Sequence, residues 1–169
     1  MKSKVKRSPK RVKICKYGND ISIPSYIKSQ VLDLCDIDQV NTMRSFARPV
    51  GLKWTPSLSD GSSFLSEKDE FIYTVQSGDK VLSTIHVFCD KSKQSYSCNV
   101  CWIQEVCTFP EFRRLGYAQK LLRQLFDDNP DTQFMLSVWC QNDAAIALYK
   151  SVGFVTDLYK TMFMDGTII

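Results

Sequence analysis

Long apolar runs are missing from this 169-residue chain: none approaches the ~18 residues of a membrane span, and no secretory stretch follows Met1. The expectation is a soluble protein with no membrane partner. Lys2 stands where myristoylation needs a glycine, and Gly166 to Ile169 hold no cysteine for prenylation. Acidic residues are absent from the first 16 positions, which carry eight basic ones. Beyond them stand 14 basic and 18 acidic residues, so the formal charge of +4 resolves into a cationic arm and a globule of net −4. That sign argues against a broad duplex-binding face.

Histidine is reduced to His86, and no second cysteine pair matches Cys98 and Cys101, so a zinc-knuckle set is incomplete. Strand alternation also turns those two cysteines to opposite faces. The seven cysteines are odd in number and scattered. They read as reduced thiols that pack as small apolar side chains, which fits a cytoplasmic or nuclear protein.

What is present suffices for a core. At 44% hydrophobic and 12% aromatic, the chain excludes a largely disordered protein, and its length fits one domain. Residues 1–13 read as a flexible basic arm and 14–169 as a single folded domain. Lys4 to Arg11 has the composition of a nuclear-import signal or nucleic-acid-binding arm; the alternative is a solubilising terminus. Phosphorylation at Ser8-Pro9 would weaken either electrostatic role.

The chain then reads as alternating elements. Ile14 to Ile23 holds a short strand broken at Gly18-Asn19-Asp20. After Pro24, the stripe Ile27, Val31, Leu34 and Cys35 predicts an amphipathic helix, followed by a second over Asp38 to Ala47 and a loop over 49–69. Phe71 to Val75 and Val81 to Phe88 flank a turn at Ser77-Gly78-Asp79, and Val100 to Thr108 extends them into a three-strand antiparallel meander. Gly116 to Phe126 changes to helical period, with Ala118, Leu121, Leu122, Leu125 and Phe126 on one face. Phe134 to Trp139 reads as a buried strand. Asn142 caps a helix that Gly153 ends, and Phe154-Val155 and Leu158 to Met164 close the sheet. The order predicts an α/β (α+β) fold, a mixed central sheet of about six to seven strands with flanking helices.

Val106 to Ala118 carries the chemistry. A strand ends, a tight loop turns, and a helix begins around Arg113-Arg114-Leu115-Gly116-Tyr117-Ala118. The first turn of a helix leaves about four N–H groups without intrahelical partners and carries roughly half a positive charge, so a small residue there admits phosphate oxygens. The spacing Arg-x-x-Gly-x-Ala is neither the dinucleotide Gly-x-Gly-x-x-Gly nor a P-loop. A pyrophosphate fits; nicotinamide or ATP is not indicated.

This element, Val106 to Ala118, resembles the acetyl-CoA loop of the GNAT N-acetyltransferase superfamily, Arg/Gln-x-x-Gly-x-Gly/Ala. A second motif of that superfamily follows as Asn142-Asp143-Ala144-Ala145-Ile146-Ala147-Leu148-Tyr149-Lys150-Ser151-Val152-Gly153-Phe154. The resemblance covers about residues 70–164. It implies a GNAT fold and an N-acetyltransferase that passes an acetyl group from acetyl-CoA, as co-substrate, to an amine acceptor in a ternary complex. The acceptor is a protein lysine or N-terminus, or a small amine, and the assembly a monomer or homodimer.

The resemblance further implies that backbone groups of Val106, Cys107 and Thr108 pair with the pantetheine arm. Amides over Arg113, Arg114, Leu115, Gly116, Tyr117, Ala118 and Gln119 hold the pyrophosphate, and Asn142 helps to position the pantetheine. Tyr149 matches a tyrosine near the CoA sulfur. A phenol of pKa about 10 is a weaker acid than a thiol of about 8.5, so a hydrogen bond to the leaving sulfur describes its role better than full transfer.

Many members carry a Glu or His two or four residues before the position of Val106, where this chain has Gln104 and Trp102. Glu105 is the candidate base, although strict alternation aims it at the opposite face unless a bulge re-aims it. Proton removal through water, or an acceptor of low pKa, are the alternatives. Without a base, a CoA-binding module lacking turnover is the competing reading, and a nucleic-acid-associated protein using its arm is a third. Asp33, Asp36 and Asp38 read as a cationic-amine attractor or a solvated turn, and His86 as structural or solvent-facing.

Overall fold

The computed structural model describes residues 9, 11–18, 22–35, 70–89, 99–136, 138 and 142–155. The expected helix over Asp38 to Ala47, the loop over 49–69, the strand over Leu158 to Met164, Asp36 and most of the basic arm lie outside these residues. The described strands are β1 (Lys13–Gly18), β2 (Glu70–Ser77), β3 (Lys80–Cys89), β4 (Asn99–Thr108) and β5 (Thr132–Leu136). The helices are α1 (25–35), α2 (Tyr117–Asp128) and α3 (Asp143–Ser151). Strands run in sheet order β1-β2-β3-β4-β5, antiparallel through β4 and parallel between β4 and β5. The meander is as the turn signals predict, and α2 is the crossover that a parallel pair requires.

Both faces of the sheet are covered, and alternation divides β2 between them. Phe71, Tyr73 and Val75 join Tyr117, Leu121, Leu122 and Leu125 of α2 in one cluster, while Ile72 joins Ile27, Val31, Leu34 and Cys35 of α1 in another. Each fully buried leucine on α2 is worth about 1.5–3 kcal/mol relative to exposure, so this stripe fixes the helix to the sheet. The helical stripe read after Pro24 is the buried face of α1, entered through bonds from the Ile27 and Lys28 amides to the Pro24 carbonyl.

The two faces differ in polarity. On the α1 side, β2 and β3 bury Thr74, Gln76, Thr84 and His86. Gln76 donates to the Thr74 hydroxyl at 2.7 Å and to the Tyr17 hydroxyl at 2.8 Å, and Thr84 donates to the Tyr73 carbonyl at 3.2 Å. Burial raises the Tyr17 pKa, and the same cause, reinforced by Asp128, raises that of Tyr73.

Three expectations change. The strand after α2 begins at Thr132 and alternates, with Phe134 and Leu136 turned inward and Met135 exposed, because only one of its faces meets the core. Phe154 and Val155 are not in a strand, and Val155 is 89% exposed. The thiols are not all reduced: Cys89 and Cys101, directly opposite across β3 and β4, form a disulfide. Twelve residues separate them in sequence, so only the register reveals the pair.

Candidate active site

β4 changes character midway. From Asn99 to Ile103 it pairs with β5 on one edge, and the described part of β5 ends at Leu136, opposite Ile103. On the other edge the pairing with β3 continues to Thr108 but shifts register: Val87 faces Ile103, whereas His86 faces Glu105. Gln104 is thus the extra residue of a β-bulge, and the bulge resets the alternation. Glu105 consequently comes to the same side as Cys107 and Cys35, under α1, with its carboxylate 3.7 Å from the Cys107 thiol. Strict alternation from Cys101 and Ile103 would have set Glu105 on the α2 face with them; the bulge re-aims it to the α1 face.

Beyond the bulge, backbone direction decides which groups face the edge away from β3, where none of the described residues pairs with β4. The Cys107 carbonyl accepts from the Ser83 hydroxyl at 2.8 Å and the Phe109 amide donates to Leu82 at 3.1 Å, so both residues point their polar groups toward β3. Alternation turns the amides and carbonyls of Val106 and Thr108 the other way, toward the edge opposite β3. Cys107 is therefore not a partner for an added strand, contrary to its expected backbone role. Its buried side chain points toward α1.

The loop that follows joins β4 to the N-terminus of α2. A 3-10 turn at Pro110–Phe112 reverses the chain, and Arg113 donates through Nε to the Thr108 carbonyl at 3.1 Å, clamping the loop to the end of β4. Arg114 is exposed and takes a left-handed φ of 66°. Gly116 caps α2 with φ 78°, ψ 9° and no side chain, and a Cβ built on it would meet nothing within 4 Å. The first turn of α2 therefore has no side-chain cap and follows two arginines in sequence, and its N–H groups carry the partial positive charge of a helix start. Leu115 and Tyr117 pack their side chains into the α2 cluster, Ala118 is half-buried, and Gln119 donates to the Ser151 hydroxyl at 3.3 Å, tying α2 to α3.

Asn142 caps α3 as expected, its Oδ1 accepting from the Ala145 amide at 3.2 Å. Gly153 follows the helix with φ 105°. Tyr149 is half-buried against the α2 cluster, its ring edge-on to Phe154 at 5.8 Å. Tyr149 and Glu105 thus belong to opposite faces of the sheet. Asp33 is exposed on α1.

Sequence reasoning missed a pair on β2 and β3, of which His86 lies opposite Glu105 in the register. His86 is buried rather than solvent-facing, and its Nε2 lies 3.6 Å from the Glu70 carboxylate. Burial lowers its pKa, and Glu70 opposes that shift. Nothing local marks the pair, because Glu70 and His86 meet only through the β2–β3 register. None of the described helices is long and apolar enough to cross a membrane.

A mixed sheet opening beyond a bulged β4, with an anion loop at the head of the next helix, defines a fold shared by many solved acetyltransferases. An aminoglycoside acetyltransferase from an uncultured soil metagenomic sample, solved with sisomicin, superposes with a TM-score of 0.59 at 14% identity, covering 90% of this chain and 97% of that one. A putative acetyltransferase from Agrobacterium tumefaciens gives 0.61 at 16% identity over 90% and 97% of the two chains. A GNAT-family acetyltransferase from Streptococcus pneumoniae gives 0.56 at 20% identity over 86% and 88%. Among curated protein sequences no match is found. Residues 38–154 match the acetyltransferase (GNAT) family, and the chain belongs to that family of acyltransferases.

Proposed function

We propose that this protein transfers an acetyl group from acetyl-CoA to an amine by direct attack within a ternary complex. The observation that carries the proposal is the junction from Thr108 to Gln119: a strand end with no described partner opposite β3, a clamped loop, and a helix N-terminus with no side-chain cap, at whose glycine an added Cβ would meet nothing within 4 Å. Val106 and Thr108 offer backbone partners to the pantetheine arm. The amides from Arg113 to Gln119 and the two guanidinium groups hold the pyrophosphate, and Asn142 donates to the arm.

The amine nitrogen attacks the thioester carbonyl carbon; a C–N bond forms, the C–S bond breaks, and the sulfur leaves as CoA thiolate. An amine of lysine type has pKa about 10.4, so its neutral form at pH 7 costs roughly 4.6 kcal/mol. Glu105, brought beside Cys107 by the bulge, accepts the proton, and the Tyr149 phenol donates a hydrogen bond to the departing sulfur. Backbone donors and orientation supply the rest of the rate.

The acceptor is an amine on a protein or a small molecule. The aminoglycoside acetyltransferase among the structural neighbours makes polyamine-like sugars one class to test beside lysine peptides, N-terminal peptides and amino acids. A second reading, a CoA-binding protein without turnover, draws on Trp102 and Gln104 at the positions where many members carry their base. Thermal shift with acetyl-CoA followed by thiol release across that amine panel separates the two. Stabilisation with release for at least one amine supports transfer; stabilisation with only background release supports the binding protein. No stabilisation at millimolar acetyl-CoA contradicts both.

A further inference from the structure

Two thiols and a carboxylate converge under α1. Cys35 closes the buried stripe of α1, Cys107 stands on β4 beyond the bulge, and neither is in a disulfide. Each sulfur and one oxygen of Glu105 lie within 4.8 Å of one another, and the Cys107 sulfur is 3.7 Å from Glu105 Oε2. Around a tetrahedral zinc-class ion, metal–sulfur bonds of about 2.3 Å and metal–oxygen bonds of about 2.1 Å put sulfur–sulfur edges near 3.8 Å and sulfur–oxygen edges near 3.5 Å. The triangle is therefore close to the size of a coordination face before any ion is added.

The donor types narrow the ion. Hard cations such as Ca²⁺ and Mg²⁺ take six or more oxygens, which a pair of thiols in an apolar cluster does not provide. Soft or borderline divalent ions prefer thiolate. From this juxtaposition we infer that Cys35, Cys107 and Glu105 form a binding site for a divalent cation of the zinc class. Binding breaks two S–H bonds and forms two S–metal bonds, so two protons leave to solvent; Glu105 binds as the carboxylate, and the fourth tetrahedral position remains for water.

The site spans 72 positions of sequence and joins α1 to β4, so occupancy clamps the helix over the sheet and raises the melting temperature. It also engages the carboxylate proposed above as the proton acceptor. Ion and amine proton compete for one group, and turnover falls as the ion loads. This last consequence rests on the proposed function; the binding itself does not.

Co²⁺ titration of the anaerobically purified full chain tests the site through the near-ultraviolet absorption of cobalt–thiolate bonds. The expected result is absorption that saturates at one equivalent with release of two protons per ion. Loss of a hydrogen-bonding neighbour of a metal ligand already costs about 10–100-fold in affinity, so losing a direct ligand in Cys35→Ala should cost more than about 100-fold. Glu105→Gln, which keeps both sulfurs, should weaken Co²⁺ while retaining a thiolate band at high metal, and Cys15→Ala should change nothing. Absent absorption overturns the inference. So does a band of undiminished affinity in both Cys35→Ala and Glu105→Gln, which would assign it to other thiols. A full band with unchanged turnover would support the site and remove Glu105 from the proposed reaction.

Discussion

The two halves of β4 are built from the same strand and put to different use. From Cys101 to Ile103 it is paired on both edges, Cys101 is locked to Cys89, and Cys101 and Ile103 sit in the α2 core. From Glu105 to Thr108 the described pairing is to β3 alone, Cys107 is a thiol under α1, and the backbone of Val106 and Thr108 faces away from β3. One extra residue, Gln104, separates these regimes. The contrast teaches that a single bulge can move a carboxylate from one face of a sheet to the other without changing the course of the chain.

If the halves are separable, substitutions after the bulge should strike ligand binding and turnover, and those before it should strike stability. The largest effect is expected of Gly116→Asp, which forces a side chain into a left-handed position and sets a carboxylate before the helix N-terminus. Stabilisation of about 2.7 kcal/mol at acetyl-CoA one hundred times its Kd should vanish, as read by thermal shift. Glu105→Gln comes next: loss of a positioned base lowers kcat by about 10²–10⁴-fold, with acetyl-CoA affinity unchanged by calorimetry.

Before the bulge, the double substitution Cys89→Ala/Cys101→Ala should cost about 3 kcal/mol in denaturant unfolding, the magnitude for a loop of about this length, and leave kcat near that of the parent. A kcat loss as large as that of Glu105→Gln would dissolve the distinction between the halves. The smallest effect is expected of Tyr149→Phe. Removing one hydrogen bond to the leaving sulfur is worth about 0.5–1.5 kcal/mol, roughly a two- to tenfold fall in kcat, with the apolar packing of the ring on Phe154 kept.

Much of this was legible in the sequence where the signal is local. The stripe Ile27, Val31, Leu34 and Cys35, the leucines of α2, the cap at Asn142 and the loop around Gly116 each depend on residues within a few positions of one another, and helical period or cap chemistry exposes them. What depends on register was not legible. The bulge at Gln104 has no sequence mark because any residue can be the extra one. The Cys89–Cys101 bond and the Glu70–His86 contact each join two strands, and pairing across a turn is invisible until the strands are aligned. The sheet also buries Thr74, Gln76, Thr84 and His86, polar residues that periodicity alone would send to solvent.

The most direct test of the central claim, that β4 beyond its bulge is an acetyl-transfer site, is thiol release from saturating acetyl-CoA with an amine panel, for the parent chain and Glu105→Gln side by side. The account predicts release above background for at least one amine and a fall of about 100-fold or more in the variant at unchanged acetyl-CoA affinity. Equal rates in the two proteins, or background release with every amine, would contradict it.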